Sequence, residues 1–325
     1  MKEIHISKND QGQRYDRFLQ KAVPLLPTTL SQKYFRLKRL KCNGKAVKGD
    51  YRLVVGDTLQ LYINDEFFQK PSPDTAYLSI VKPNISLVYE DEHILLLNKP
   101  AGLVVHHDES GESNNLLTHL QAYLYLNKEW KPREAHSFAP ALCNRIDRNT
   151  SGIVIAAKTA TGLREMNDKI KNREVKKEYL AVIHGTLEKQ QGKLEDFLLR
   201  DKNKKQVYVY DSPVSGGKTA ITHYDVLAEH RGLSLVRCEL HTGRTHQIRA
   251  QFAHMGHPLL GDGKYGDLAL DKPYGKKGQA LCSYRVGFPF QGEESPLDYL
   301  KGKTFQLDDI DFVKKYFPDT VLKKK

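Results

Sequence analysis

The stretch "NRIDRNTSGIVIAAKT", residues 144–159, places one carboxylate, Asp147, between Arg145 and Arg148. Thr150, Ser151 and Gly152 follow, and then the apolar run from Ile153 to Ala157. A short apolar run after a polar turn is the pattern of a buried strand. The stretch therefore carries a charged side chain to the end of a strand inside the core. The neighbouring arginines favour the ionised form of the acid. Thr150 and Ser151 offer hydroxyls to orient it, and Gly152 lets another backbone approach closely. Read alone, the same residues also describe an ordinary Arg–Asp ion pair at a strand end.

Outward from this segment, the chain has 325 residues, 39% of them hydrophobic, enough for a large domain with a smaller companion. The formal charge of +12 suits a polyanionic partner, with nucleic acid the first expectation and a membrane surface the competing one. No run of about 20 apolar residues is present to span a bilayer. The N-terminal residues carry no apolar signal region, so a cytoplasmic location is expected. Cys42, Cys143, Cys238 and Cys282 are far apart and form no C-x-x-C pair, which argues against a disulfide framework and a cysteine-built zinc site. Adjacent His106 and His107 make a poor ligand set, because neighbouring residues on an element point in different directions. No metal is expected. Nor is there a P-loop, a dinucleotide-binding glycine fingerprint or an H-E-x-x-H helix.

The charge is unevenly spread. Residues 14–62 hold eleven Lys/Arg against three Asp, two thirds of the net charge in about a sixth of the chain. Within them, "SQKYFRLKRLKCNGKAVK" (31–48) has seven Lys/Arg and no acid, including Arg36, Lys38, Arg39, Lys41 and Lys45. Phe18, Leu19, Ala22 and Val23 recur at helical spacing, Asn43-Gly44 is a turn signal, and "YRLVVGDTLQLYI" alternates like strands around a Gly56-Asp57 turn. The expectation is two short helices and a small sheet with one basic face. Residues 64–82, with Pro71 and Pro73, read as a linker.

From residue 83 the pattern changes. Leu87-Val88-Tyr89, Ile94 to Leu97, "KEYLAVIHG" and "SLVRCEL" read as strands, with Lys99-Pro100-Ala101-Gly102 turning the chain. Leu116, Leu120 and Leu124 mark one helix, and Leu163, Met166 and Ile170 another. The end, "DFVKKYFPDTVLKKK", reads as a short helix and a basic tail. Strands and helices mix without regular βαβ alternation, so the class is α+β.

Two further segments could carry chemistry. In "REVKKEYLAVIHG" (173–185), Lys177 and Tyr179 share a strand face, and a tyrosine lining a cleft can stack on a base. A half-buried core tyrosine is the plainer reading. In "ELHTGRTHQIRAQFAHMGHPLLGDGKYG" (239–266), Thr245 is the expected helix N-cap and Ile248, Phe252 and Met255 form a core-facing stripe. His246 and Arg249 fall on a neighbouring face, Gly256 is the expected C-cap, and Pro258 ends the helix. Arg249 on a packed helix could meet a carboxylate in defined geometry. Arg244, before the helix, could take a phosphate. A basic surface helix is the alternative.

Taken together, these segments resemble one family. "RYDRFL" (14–19), "LKCNGKAVKGDY" (40–51) and "VVGDTLQLYI" (54–63) resemble the S4 RNA-binding domain, which implies that the Lys41-to-Lys48 segment grips RNA phosphates. "RIDRNTSG" (145–152), "KEY" (177–179), "GRTHQIR" (243–249), "VYEDEHILLLNKPAGLVVH" (88–106) and "GHPLLGD" (256–262) resemble the motifs of RluA-type RNA pseudouridine synthases. The resemblance covers nearly the whole chain. It implies an S4-like domain over 1–63 and a catalytic domain over 83–325, the latter a mixed, mainly antiparallel sheet with flanking helices. It also implies that Asp147 is the nucleophile, Tyr179 stacks on the target base, and Arg249 pairs with the aspartate. Ile146 stands for the usual leucine, Asn144 where many members have histidine, and Asn149 where aspartate is common. "ALCSYRVGF" (280–288) is a weak form of the family's L-H-A segment.

The reaction implied is isomerisation of uridine to pseudouridine in RNA, with no cofactor. Arg145, Lys177, Arg244 and His246 are expected to hold RNA near the site. Ribosomal RNA of the large subunit is favoured over tRNA, and a monomer is the default. Two other readings stand beside this one: a non-catalytic RNA-binding or ribosome-assembly protein on the same fold, and a hydrolytic N-glycosidase, for which Asp262 would be the nearest candidate second acid.

Overall fold

The computed structural model describes residues 1–23, 25–68, 76–106, 114–132, 137–201, 203–275, 278–292 and 294–322. Pro71 and Pro73 of the expected linker, His107 and the basic tail from residue 323 lie outside the described residues.

Two sheets with separate cores organise the chain. The first has the order β1 (Lys2–His5), β4 (Thr58–Leu61), β2 (Leu40–Cys42), β3 (Lys45–Ala46). Helices α1 (Tyr15–Ala22) and α2 (Thr28–Arg36) cover it. Tyr15, Phe18, Leu19, Leu40, Leu53, Leu59 and Leu61 are its buried core. Asn43 and Gly44 turn the β2–β3 hairpin with φ of 50° and 78°, the positive pair a two-residue hairpin demands. The expected strand before Gly56 is absent apart from an isolated Arg14–Arg52 bridge. Asp57 is the reason. Its carboxylate accepts hydrogen bonds from Val54 N, Asn43 Nδ2 and Tyr51 OH at 2.8, 2.8 and 3.1 Å, closing a tight turn where a strand would continue.

The second sheet is eleven-stranded. Its strands are β5 (Leu87–Glu90), β6 (Ile94–Lys99), β7 (Ala141–Leu142), β8 (Ser151–Ala157), β9 (Lys176–His184), β10 (Gln191–Asp201), β11 (Gln206–Tyr210), β12 (Lys218–His230), β13 (Leu233–Leu240), β14 (Leu281–Gly287) and β15 (Thr304–Gln306). The main path runs β11-β10-β12-β13-β9-β14-β8-β6-β5, with β7 beside β8 and β15 beside β14. Every pairing is antiparallel except β14 with β8, so the sheet is mixed but mainly antiparallel.

Period-two alternation divides the apolar residues between two covered faces. Leu95, Leu97, Val154, Ala156, Tyr179 and Ala181 face one side, where α3 (Leu116–Leu126) and α5 (Gln247–His254) pack. Ile94, Leu96, Ile153, Ile155, Leu180 and Val182 face the other, against α4 (Ala160–Lys171) and α7 (Asp311–Tyr316). This is why Ile153–Ala157 reads as a continuous apolar run. Helix α3 begins at Asn115, whose side chain accepts from Thr118 N, and α4 at Thr159, which accepts from Gly162 N. A short helix, α6 (Leu268–Asp271), follows the Gly261–Gly266 turn. No helix among the described residues is long and apolar enough to cross a membrane.

The two units touch. Ser137 donates to Asp10 at 2.7 Å and accepts from Gln13 at 3.0 Å. Ala160 N, at the start of α4, donates to Asn9 at 3.4 Å.

Candidate active site

Asp147 sits at the tip of a broad hairpin between β7 and β8. Cys143 N donates to Ile155 O, and Ile155 N donates to the Asn144 side chain at 2.8 Å, so Asn144 extends the ladder with its amide. Buried Ile146 anchors the loop in the core. Thr150 N donates to Asp147 O, closing the turn.

The expected roles of Thr150 and Ser151 are not those observed. The Thr150 hydroxyl accepts from Gln279 Nε2 at 2.6 Å, and Ser151 Oγ donates to Leu281 O at 3.5 Å. Both tie the loop to the approach of β14 rather than orienting the carboxylate. Gly152 does what its position suggested. It has φ of 109°, and a Cβ there would stand 2.3 Å from Ser283 O on β14.

The ion-pair partner of Asp147 is not a neighbour in sequence but Arg249, from α5. Arg249 NH1 donates to Asp147 Oδ2 at 2.7 Å. Its other edge forks onto Asp262, with Nε to Oδ2 at 2.7 Å and NH2 to Oδ1 at 2.8 Å. Asp262 also accepts from the N–H groups of Lys264 and Tyr265. Burial alone would raise the Asp262 carboxyl, but the Arg249 hydrogen bonds and charge, with those two N–H groups, hold it below the usual range. Arg148, flanking Asp147, donates from Nε to Gly102 O at 3.1 Å.

Helix α5 is held in place by buried amides. Gln247 accepts from Thr242 Oγ1 and Arg244 N at 2.8 and 3.0 Å, and donates to Ile221 O and Thr222 Oγ1 at 3.0 and 2.9 Å. Thr222 donates to Gln251 Oε1 at 2.7 Å, and Gln251 donates to Asp196 at 2.6 Å. Such a satisfied network fixes the helix register, and with it the reach of Arg249. Thr245 is not the N-cap. His246 takes that place in the left-handed region, with φ of 55° and ψ of 21° and no side-chain cap. Ile248 and Phe252 are buried as expected, but Met255 is 39% exposed because the helix has ended at His254. Gly256 has φ of 82°. Its N–H binds Ala253 O while His257 N binds Phe252 O, a Schellman ending.

Tyr179 lies on β9 between Cys238 of β13 and Ser283 of β14, on the face toward α5. It is only 6% exposed. Burial pushes its phenol up to about 12, with the charge of Asp147 adding to the effect. Lys177 is on the same face and half-buried, and burial lowers its ammonium. His246 Nε2 is 3.9 Å from Asp147 Oδ2. Arg145 is exposed on the loop, and exposed Arg244 donates from Nε to Thr219 O at 2.9 Å. Asp147, Tyr179, Arg249 and His246 are thus brought together. Arg36, Lys38, Arg39, Lys41 and Lys45 lie on the first sheet and α2 end, outside this cleft; all are exposed except half-buried Lys41. None of these five makes an ion pair among the described residues.

Lys99 was not singled out by its sequence pattern. It ends β6 fully buried and donates to Pro100 O, Leu103 O and Arg148 O at 2.8, 2.7 and 2.9 Å. It staples the Asp147 loop to the turn after β6. Burial pushes its ammonium down to about 8, against the opposing charge of Asp147. A lysine two residues beyond the apolar "ILLL" run, in step with its strand, was the available signal. Arg249 and Lys99 together match the charges of Asp147 and Asp262.

A family model described as RNA pseudouridylate synthase matches residues 93–254, which include Asp147, Tyr179 and Arg249. The chain is 32% identical over 305 residues to an uncharacterized RNA pseudouridine synthase, YlyB, of Bacillus subtilis, covering 91% of this chain and 94% of that one. It is 30% identical over 315 residues to ribosomal large subunit pseudouridine synthase C of Escherichia coli, covering 92% and 93%. Among solved structures, human RNA pseudouridylate synthase domain containing 4 has a TM-score of 0.55 at 18% identity, covering 72% of this chain and 92% of that one. Human RNA pseudouridylate synthase domain containing 1 has a TM-score of 0.52 at 21%, covering 74% and 98%. These two share the fold.

Proposed function

This chain belongs to the RNA pseudouridine synthase family and isomerises uridine to pseudouridine in RNA; from that premise we propose that its substrate is large-subunit ribosomal RNA and that Asp147 is the nucleophile. The observation that carries the assignment is the carboxylate's setting. Asp147 is partly open to the cleft, while the buried Asp262 fixes Arg249 beneath it. A charged nucleophile needs a positive partner that cannot swing away. The ribosomal substrate is supported by the E. coli relative, which is named for the large ribosomal subunit.

A stacked uridine must leave the RNA helix to reach Asp147, at a cost of roughly a few kcal/mol. Stacking against a side chain can return about 1–3 kcal/mol. Tyr179 is the proposed platform. Its ring has little exposed surface, so the uracil meets it only as the cleft widens to admit the nucleotide. Its phenol stays protonated through neutral pH, which suits a proton relay from C5 and not a phenolate base. The N-glycosidic bond breaks, the uracil turns, C5 bonds to C1′, and the proton lost from C5 is balanced by one gained at N1. Attack on the sugar, attack on the base and elimination through a glycal all fit one carboxylate in this position. Arg145, Lys177 and Arg244 are the proposed phosphate contacts around the cleft.

Residues 1–63 are proposed as an S4-like RNA-binding domain. Its separate core, its two helices and the cations of the α2 end and β2–β3 hairpin support that reading. The test is single-nucleotide pseudouridine mapping on total RNA from a strain lacking the gene, re-treated with pure protein. Sites in large-subunit RNA should vanish on deletion and return on treatment. Asp147→Asn should bind the same RNA and restore none of them. Restored sites confined to tRNA would overturn the substrate, and turnover by a clean Asp147→Asn preparation would overturn the nucleophile.

A further inference from the structure

The turn that carries Asp262 reaches the cleft a second time through Tyr265. We propose that Tyr265 locks His246 as the Nε2–H tautomer and so aims a neutral N–H donor, beside Asp147, at an oxygen flanking C1′ of the target nucleotide. The proposal rests on the reading of Asp147 as nucleophile.

The lock follows from donor and acceptor bookkeeping. Tyr265 OH accepts from Val207 N, on β11, at 3.0 Å. It lies 2.7 Å from His246 Nδ1, and the two rings meet edge to face. With an N–H already pointing at its oxygen, the phenol has its own hydrogen to place. His246 Nδ1 is the acceptor within reach among the described residues. Nδ1 therefore accepts, and the ring hydrogen belongs to Nε2. Were the hydrogen on Nδ1, two donors would face the phenol oxygen and its own hydrogen would have no acceptor. Burial, with the charges of Arg249 and Lys264, lowers the imidazolium against the pull of Asp147 and Asp262, which favours the neutral ring.

Nε2 stands 3.9 Å from Asp147 Oδ2, too far for a hydrogen bond. Among the described residues Nε2 makes no hydrogen bond, and it stands beside the carboxylate that a nucleotide attacked by Asp147 must approach. The backbone supports a positioning role. His246 is in the left-handed region, which is strained for a non-glycine residue, and α5 holds it there through the bond from Ala250 N to His246 O at 2.9 Å. A neutral donor also suits the neighbour, since it leaves the carboxylate's charge to Arg249. Tyr265 is tied to the same acid as Arg249. Its N–H donates to Asp262 Oδ1, and the guanidinium lies 5.2 Å from its ring centre. One turn thereby sets both groups that face Asp147.

The test uses the full chain labelled with ¹⁵N-histidine and an RNA containing its target uridine, with the His246 signal assigned by its loss in His246→Gln. The wild type should show Nδ1 unprotonated and Nε2 protonated, and Tyr265→Phe should shift the ring toward a mixture of tautomers. In turnover, His246→Gln, whose amide nitrogen falls near Nε2, should lose less than about tenfold in kcat, whereas His246→Asn, whose amide falls near Nδ1, should lose about tenfold to a hundredfold. Tyr265→Phe should lower kcat more than it raises KM. An Nδ1–H wild type, or equal activity of the Gln and Asn variants, would overturn the proposal. A wild type that converts no RNA would count against the nucleophile reading instead, and the tautomer would still decide the lock.

Discussion

The unit of the site is one guanidinium shared by two carboxylates of different exposure. Asp262 is inaccessible and spends both oxygens on Arg249, while Asp147 binds Arg249 through one oxygen and its side chain stays 25% exposed. Removing a partner from a buried pair leaves an uncompensated charge and costs about 3–5 kcal/mol. Asp262→Ala should therefore lower unfolding free energy by that order and reduce kcat. Equilibrium denaturation and single-turnover assays on the same preparation check both. Lys99 adds a pH dependence whose sign is fixed by its ammonium lying near 8 in the fold against 10.5 for the ordinary group. Below pH 8 it is charged in both states and its burial only costs stability. From pH 8 to 10.5 the unfolded chain holds a proton the folded chain has released, so this group's contribution to stability rises with pH. Unfolding at about pH 7 and about pH 10 should show that rise in the wild type, and Lys99→Met should lose it. Activity should move the other way, because the neutral amine has two hydrogens for three carbonyls and the site becomes net negative.

At the scale of elements, the site is made by the junction of β8 and β14. Their parallel pairing, Cys282 with Ser151 and Ser283 with Gly152, is where the sheet's antiparallel order breaks. Gly152 permits it, since any side chain would enter the Ser283 carbonyl. Gly152→Ala should destabilise the protein by about 3 kcal/mol or more, through strain at positive φ and the displaced strand, and should misplace the Asp147 loop. A chemical denaturation midpoint unchanged from the wild type would show that the junction yields more easily than its geometry implies. Helix α5 is the complementary element. Its amide network with β10 and β12 explains how a helix of eight residues can hold an arginine to one geometry.

For the whole molecule, the charge divides with the cores. The exposed cations of Arg36, Lys38, Arg39 and Lys45 belong to the first unit, and the site's own charges are internally matched. Lys38 even adopts φ of 57° at the end of α2, a position where glycine is the relaxed choice. Replacing Arg36, Lys38, Arg39, Lys41 and Lys45 by glutamine should weaken RNA binding. It should also flatten the slope of log K against log salt by about 0.7–0.9 for each phosphate that is no longer neutralised. Binding titrations from about 50 to 200 mM salt, the range where counterion release is steep, measure it. An unchanged slope would mean that this face does not meet RNA.

Local pattern carried much of this architecture. The hairpin at Asn43-Gly44, the strands around Ile94 and Ile153, and the helices through Leu120 and Met166 were all legible, because each depends on neighbours within a turn or a strand, whereas the motifs around Asp147, Tyr179 and Arg249 were read by resemblance to a family. What failed depended on contacts from afar. The cap fell to His246 and not Thr245 in a segment held by Gln247 to β12, and Thr150 turned from Asp147 because Gln279 reached it from 129 residues away. Composition and spacing placed an acid between two arginines. The Arg249 pairing, 102 residues on, came from the family resemblance and not from composition or spacing, and only the packed sheet shows its geometry, since hydrogen bonds and burial act through space while the sequence records order along the chain.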